Sequence, residues 1–136
     1  MPICIAVISI DAIDPARVAE FWAEALGWDY HPDPNEGGVS LVPPGVSNDS
    51  GADGFCIDVM PVPEAKSVKN RLHFDLRADG RTQAEEVSRL LDLGATRVDV
   101  GQSPDVTWVV LADPEDNEFC VLQRSVQEVQ AAASQG

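Results

Sequence analysis

The first half of the chain alternates apolar and polar positions in a way that predicts one helix among four strands. The β-branched run 3–12 predicts a strand. Asp14 can act as an N-cap and Pro15 suits a first helical turn, so a helix is predicted to begin there and to end at Gly27. The apolar stripe of this helix consists of Val18, Phe21, Trp22, Ala25 and Leu26. The remaining strands are predicted over 28–31, 38–43 and 54–62.

The second half repeats this plan. A strand is predicted over 71–78, and Thr82 with Glu85 forms a capping box at the start of a helix that ends at Gly94. The apolar stripe of this helix is Val87, Leu90 and Leu91. Three further strands are predicted over 96–100, 106–112 and 118–123.

The strand 71–78 has one polar face with reactive side chains. Strict alternation at period two places Arg71, His73 and Asp75 on that face. The opposite, apolar face is formed by Leu72, Phe74 and Leu76. His73 is therefore predicted to face water, a ligand or a metal.

Both halves read β-α-β-β-β, which indicates an internal repeat. We predict a single domain over 1–124, built from a module at 1–64 and a second at 68–124. The segment 125–136 lacks turn residues and a strong apolar stripe, and is predicted to be either a frayed helix or a disordered tail.

The amino-acid composition disfavours some classes of binding partner and indicates a cellular compartment. The 136 residues carry a net charge of −14, from 23 acidic and 9 basic side chains, which disfavours nucleic acids and anionic membranes. No apolar run is long enough to span a bilayer, and the first residues do not resemble a signal peptide, so a cytoplasmic protein is expected. Cys4, Cys56 and Cys120 form no C-x-x-C pair and are expected to be reduced thiols.

Three segments carry a family resemblance: "DPARVAEFWAEALGW" at 14–28, "NRLHFDL" at 70–76 and "DPEDNEFCVL" at 113–122. Together with the repeat, they resemble the glyoxalase-like branch of the vicinal-oxygen-chelate superfamily, which includes the bleomycin-resistance type of fold. The resemblance extends over about 3–124. It implies an α+β fold in which two βαβββ modules, related by a pseudo-twofold, form cupped, mostly antiparallel sheets with the helices outside. It also implies a homodimer.

The resemblance gives four positions at which metal-using members place ligands. Here they hold Val7 and Cys56 in the first module, and His73 and Cys120 in the second. The usual carboxylate is absent from its expected position on the last strand, which Cys120 occupies. Glu118 lies two residues earlier on the same strand face. In the "DPEDN" turn, Asp116 replaces the usual glycine.

Three interpretations of the residues around His73 remain open, two with a bound metal and one without. His73 and Glu118 could hold a divalent Zn, Mn, Fe or Mg ion and serve as the catalytic pair. Cys56, His73 and Cys120 could instead form a zinc set. The interpretation we place first has no cofactor, because Val7 cannot bind a metal. The predicted ligand-binding residues are then Ser9, Arg71, His73, Asp75, Trp108 and Cys120.

The function predicted first is a glyoxalase-like protein that binds a small organic molecule in a cleft near His73 and lacks the family's full metal site. The alternative is a metal-dependent lyase, isomerase or dioxygenase, in which a metal would stabilise an enolate-like intermediate. A third class is a dimerising structural module without a working cleft. The number of metal ligands discriminates between the first two.

Overall fold

The computed structural model describes residues 2–47 and 50–135. The chain divides into two compact units, Met1–Ala65 and Lys66–Gly136, each containing a four-stranded mixed sheet. Within the described residues, no helix is long and apolar enough to cross a membrane.

The first unit contains one helix and one sheet. In chain order its elements are β1 (Val7–Ala12), α1 (Pro15–Leu26), β2 (Asp29–Pro32), β3 (Val39–Val42) and β4 (Cys56–Pro61). The strands are ordered β1-β4-β3-β2. β1 runs parallel to β4, and the other pairs are antiparallel.

The second unit repeats the order and adds a C-terminal helix. Its elements are β5 (Phe74–Leu76), α2 (Gln83–Leu93), β6 (Thr96–Arg97), β7 (Val109–Ala112), β8 (Glu118–Val121) and α3 (Val126–Gln135). The strands are ordered β5-β8-β7-β6, with β5 parallel to β8. The predicted α+β fold of two βαβββ modules is confirmed.

The helix ends follow the local sequence signals. The Asp14 carboxylate accepts the Arg17 N–H at 3.3 Å, and Gly27 ends α1 with a left-handed φ of 68°. Thr82 and Glu85 make both hydrogen bonds of the predicted capping box. The buried stripe of α1 includes Val18, Phe21 and Trp22, whereas α2 buries Val87 and Leu90.

The strands are shorter than the alternation predicts. β1 begins at Val7, and Ile3 and Ile5 ahead of it are exposed. β5 begins only at Phe74, which pairs with Phe119 of its parallel neighbour β8. Leu72 therefore lies outside the strand with 87% of its surface exposed, and its predicted place on the apolar face is wrong.

The C-terminal segment forms a helix over most of its length. α3 spans Val126–Gln135, and Ser125 precedes it as a cap whose Oγ accepts the Glu128 N–H at 3.1 Å. The Gln127 side chain fixes the helix to the unit by donating to Asp79 and accepting from the Gly80 N–H. The sequence left a frayed helix or a disordered tail open for 125–136, of which Val126–Gln135 is helical and residue 136 lies outside the described residues.

Candidate functional site

Strand register in the second unit gathers polar side chains on one face of the sheet. Asp75 of β5 lies beside Cys120 of β8, and Glu118 lies two residues earlier on the same face of β8. His73 directly precedes β5. We call His73, Asp75, Glu118 and Cys120 the β5–β8 polar face.

His73 is oriented by Asp75. Its Nδ1 lies 2.9 Å from Asp75 Oδ1, and the two side chains are 39% and 51% exposed. A ring held through Nδ1 presents Nε2 as its second nitrogen. The pair can therefore offer a ligand a fixed imidazole nitrogen and a carboxylate oxygen.

Cys120 pairs with Asp75 across the two strands. Burial raises the pKa of the Cys120 thiol, and the Asp75 carboxylate raises it further through its charge and a hydrogen bond. The nearby Lys69 ammonium acts in the opposite direction, but more weakly. A raised pKa disfavours the thiolate, so Cys120 is a poor nucleophile in this state.

The order of these groups also argues against nucleophilic catalysis. In a catalytic triad the histidine contacts the nucleophile and the carboxylate orients the histidine. Here the Asp75 carboxylate interacts with the Cys120 thiol as well as with His73. This arrangement suits hydrogen bonding or cation binding better than acyl transfer.

The three side chains form a compact set of donors. One ligand atom each from His73, Asp75 and Cys120 lies within 4.8 Å of the others. The sequence predicted His73 and Cys120 as metal-ligand positions and Asp75 as a ligand contact, but did not combine the three. The signal that could have done so is the two-residue spacing of His73 and Asp75, which puts both on one strand face.

Glu118 is engaged elsewhere. Its buried carboxylate forms an ion pair with the Lys66 ammonium and accepts the Asn70 N–H at 3.2 Å. Burial alone would raise the pKa of Glu118, but Lys66 and the Asn70 N–H together lower it. Glu118 is therefore ionised, and its negative charge is balanced by the Lys66 ammonium. A metal would have to compete with Lys66 for the carboxylate. Lys66 was missed by sequence reasoning because it lies far from Glu118 along the chain.

The turn before β8 supports this arrangement. The buried Asp113 carboxylate accepts the Glu115 N–H at 2.9 Å and the Asn117 N–H at 3.0 Å. The Asn70 side chain donates to Asn117 Oδ1 at 2.8 Å and so ties the chain that leads to β5 to the same turn. Asp116 adopts the left-handed conformation with φ 68°, which its position in place of glycine requires.

The remaining predicted residues lie in different places. Arg71 is exposed and precedes His73. Trp108 is 41% exposed just before β7, two residues before Val110, which pairs with Cys120. Ser9 and Cys56 lie on β1 and β4 of the first unit, where Cys56 is buried opposite Val7. Their participation in a site with His73 stays a prediction.

The first sheet carries a polar row that the sequence did not indicate. Asp58 of β4 lies opposite Ser9 of β1 and Ser40 of β3. The Ser40 hydroxyl donates to Asp58 Oδ1 at 2.8 Å. This row depends on strand register, which hydrophobic periodicity does not specify across a long loop.

Comparison with known proteins identifies the fold. The family model described as the glyoxalase-like domain matches residues 7–122. No curated protein matches the chain.

Several solved structures share the architecture at low sequence identity. The fosfomycin resistance protein FosX of Listeria monocytogenes has a TM-score of 0.67 at 12% identity, with 97% of this chain and 99% of that chain covered. The oxidase ChaP-H2 has a TM-score of 0.62 at 16% identity, covering 91% and 95%. TnmS3, an antibiotic binding protein from Streptomyces sp. CB03234, has a TM-score of 0.59 at 19% identity, covering 92% and 99%. These similarities concern the fold alone.

Proposed function

We propose a small-molecule-binding function for this chain, which belongs to the glyoxalase-like domain family, as its sequence resemblance predicted. The ligand would be a small organic molecule bound on the β5–β8 polar face near His73. The observation that carries this proposal is the oriented His73–Asp75 pair, which is exposed, while Glu118 beside it is already neutralised by Lys66.

Each residue of the proposed site has a separate role. His73 would donate or accept a hydrogen bond through Nε2, and Asp75 would hold the ring and accept from ligand hydroxyl or amine groups. Trp108 would provide an apolar wall, and Arg71 would pair with an anionic substituent. A few convergent polar groups beside an aromatic surface are typical of small-molecule sites.

The activities of two structural neighbours suggest which ligands to test first. One neighbour is an antibiotic binding protein and another is a fosfomycin resistance protein. An antibiotic is therefore a reasonable ligand class for this chain. The net charge of −14 favours a cationic ligand such as bleomycin, whereas fosfomycin, an anionic phosphonate, would depend on Arg71.

The alternative is a metal-dependent lyase, isomerase or dioxygenase. It is favoured by the His73–Asp75–Cys120 set, whose donor atoms suit a divalent metal. In that case the metal would polarise substrate oxygens. It is placed second because the family position on β1 holds Val7, which has no donor atom, and because Glu118 is paired with Lys66.

The test is calorimetric titration of the full chain with bleomycin and with fosfomycin, both in the presence of EDTA. At least one is expected to bind with 1:1 stoichiometry, and His73→Ala is expected to weaken it about tenfold, which corresponds to about 1.4 kcal/mol. His31→Ala is the matched control, since His31 is exposed on β2 and is the other histidine of the chain. Absence of binding, or equal weakening by both substitutions, would refute the proposal.

Location and assembly follow from the same proposal. We place the protein in the cytoplasm, a compartment in which cysteines such as Cys4, Cys56 and Cys120, which form no disulfide, stay reduced. We further propose a homodimer, as the family resemblance implies; several large apolar side chains, among them Ile3 and Leu72, are exposed. Light scattering should then give twice the chain mass of 14.6 kDa.

A further inference from the structure

We propose that the first unit binds a primary organic ammonium group through the Asp58 carboxylate and the hydroxyl groups of Ser9 and Ser40. All three residues belong to the first unit, and none of them is part of the β5–β8 polar face. This site therefore goes beyond the proposed function and does not rest on it. We call the three residues the Asp58 row.

Strand register aligns the three side chains across the first sheet. Asp58 of β4 pairs with Ser9 of β1 on one side and with Ser40 of β3 on the other. Paired residues of neighbouring strands point to the same face, so the carboxylate has a hydroxyl group on each side. The Ser40 hydroxyl donates to Asp58 Oδ1 at 2.8 Å and so fixes the orientation of the carboxylate.

The Asp58 row lies on the face of the sheet that is turned away from α1. The opposite face carries Leu41 and Ile57, which are buried, and Tyr30, which pairs with Leu41. Burial and the charge of Glu20 on α1 raise the pKa of Tyr30, which places the helix on that opposite face. Two members of the Asp58 row are half-buried and the third, Ser9, is exposed, so an amine can reach them from solvent.

The Asp58 carboxylate lacks a counter-charge. No basic side chain in 2–47 or 50–135 forms an ion pair with it. Cys56, two residues earlier on the same face, is fully buried, so water reaches the carboxylate less freely from that side. A partly desolvated charge is costly unless it is paired. A bound cation supplies the missing charge, and the net charge of −14 attracts cations to the surface.

The acceptor set fits an ammonium group better than a metal ion. A primary ammonium has three N–H donors, and each side chain of the Asp58 row offers an oxygen acceptor. The Ser40 oxygen keeps its lone pairs, because its proton is directed at Asp58. The hydrogen bond from ammonium to carboxylate is charge-assisted and therefore strong. Calcium takes about six to eight oxygen ligands and magnesium an octahedral set, which three side chains do not supply.

Apolar side chains beside the Asp58 row favour an amine with an alkyl chain. Val7 lies two residues before Ser9 on β1, and Met60 lies two residues after Asp58 on β4; both are half-buried on the same face. Met60 extends over β3 at Gly38, where a side-chain carbon would lie 2.8 Å from the Met60 sulfur. An alkyl chain gains from contact with this surface, whereas a hydrated inorganic cation does not.

The experiment titrates the ¹⁵N-labelled full chain with butylammonium chloride at constant ionic strength and follows the backbone amides. The amides of Ser9, Ser40 and Asp58 should shift along one saturable curve. Tetramethylammonium carries the same charge but has no N–H donor, so it should bind at least about tenfold more weakly.

Substitutions separate direct contact from the general negative field. Asp58→Asn should weaken butylammonium binding at least about tenfold, and Ser40→Ala, which removes one acceptor, about threefold. Asp11→Asn is the matched control, because Asp11 is exposed on the same face of β1 and its substitution removes the same charge from outside the Asp58 row. It should change the affinity by less than about twofold. Circular dichroism of each variant checks that it is folded.

Three outcomes would overturn the site: no saturable shift of the three amides in the folded wild-type protein, equal binding of tetramethylammonium, or an affinity in Asp58→Asn no lower than in Asp11→Asn. The titration contains no antibiotic. Antibiotic binding in EDTA together with absent butylammonium binding would therefore refute this site alone. Butylammonium binding without antibiotic binding would refute the proposed function alone.

Discussion

Substitution of Glu118 by glutamine removes a buried negative charge while preserving the shape of the side chain. Glu118 is 7% exposed and its partner Lys66 is 19% exposed. The amide oxygen of the substituted side chain could still accept the Asn70 N–H, which lies 3.2 Å from the carboxylate in the wild type. The variant therefore loses the ion pair and leaves the Lys66 ammonium without its counter-charge.

The expected cost is about 2 kcal/mol in the free energy of unfolding at pH 7. A hydrogen bond to a charged group is worth roughly 1.5–3 kcal/mol, and truncating a fully buried pair costs about 3–5 kcal/mol. The lower of these two energy ranges applies, because the Lys66 side chain is partly exposed to solvent and can turn toward water. Urea unfolding followed by far-ultraviolet circular dichroism measures the difference.

The same pair predicts a dependence on pH. The folded-state pKa of Glu118 lies below its ordinary value of 4.5, so the pair contributes stability above that pH. This contribution is lost as the pH falls through the folded-state pKa. The difference between wild type and Glu118→Gln should therefore shrink in acid.

Glu64→Gln is the control, because Glu64 is exposed and its substitution should change stability by less than about 0.5 kcal/mol. Equal stability of Glu118→Gln and wild type at pH 7 would refute the assigned ion pair. A difference that grows in acid would refute the sign of the pKa change.

Two further substitutions test the turn that precedes β8. Asp113→Ala should cost about 3 kcal/mol in urea unfolding, because the buried carboxylate accepts from the Glu115 and Asn117 N–H groups; a cost below about 1 kcal/mol would contradict this role. Asp116→Gly should raise the stability by up to about 1 kcal/mol, because glycine adopts φ 68° without strain; a loss of stability in the same assay would show that the Asp116 side chain is itself required.

Features encoded by near neighbours in the chain were predictable from sequence. The Asp14 cap, the Thr82–Glu85 capping box and the stripe that buries Trp22 all depend on residues three or four positions apart. The repeat of these signals in the second half gave the βαβββ order, and the family resemblance gave the fold.

Features that depend on distant partners were not predictable in the same way. Alternation identified the polar face of 71–78, but not that β5 would begin at Phe74 and leave Leu72 exposed. The Lys66–Glu118 pair joins positions 52 residues apart, and Ser40 meets Asp58 only through the register of β3 and β4. No local pattern specifies such pairings.

The same limit explains how the candidate site changed. From sequence, Glu118 was the carboxylate considered as a partner of His73, because it lies two residues before Cys120, which occupies the family's ligand position on the last strand. The structure places Glu118 against Lys66 and gives Asp75 as the carboxylate bonded to His73. The contact between Glu118 and Lys66, which joins positions far apart in the chain, is what no local pattern could show.

The claim that a small organic molecule binds near His73 is tested most directly by ¹⁵N–¹H spectra of the labelled chain, titrated with whichever of bleomycin or fosfomycin binds in EDTA. The largest shift changes should fall on backbone amides of 71–76, 108–110 and 118–121. Changes centred on any other part of the chain, with these amides unmoved, would contradict the proposed binding face.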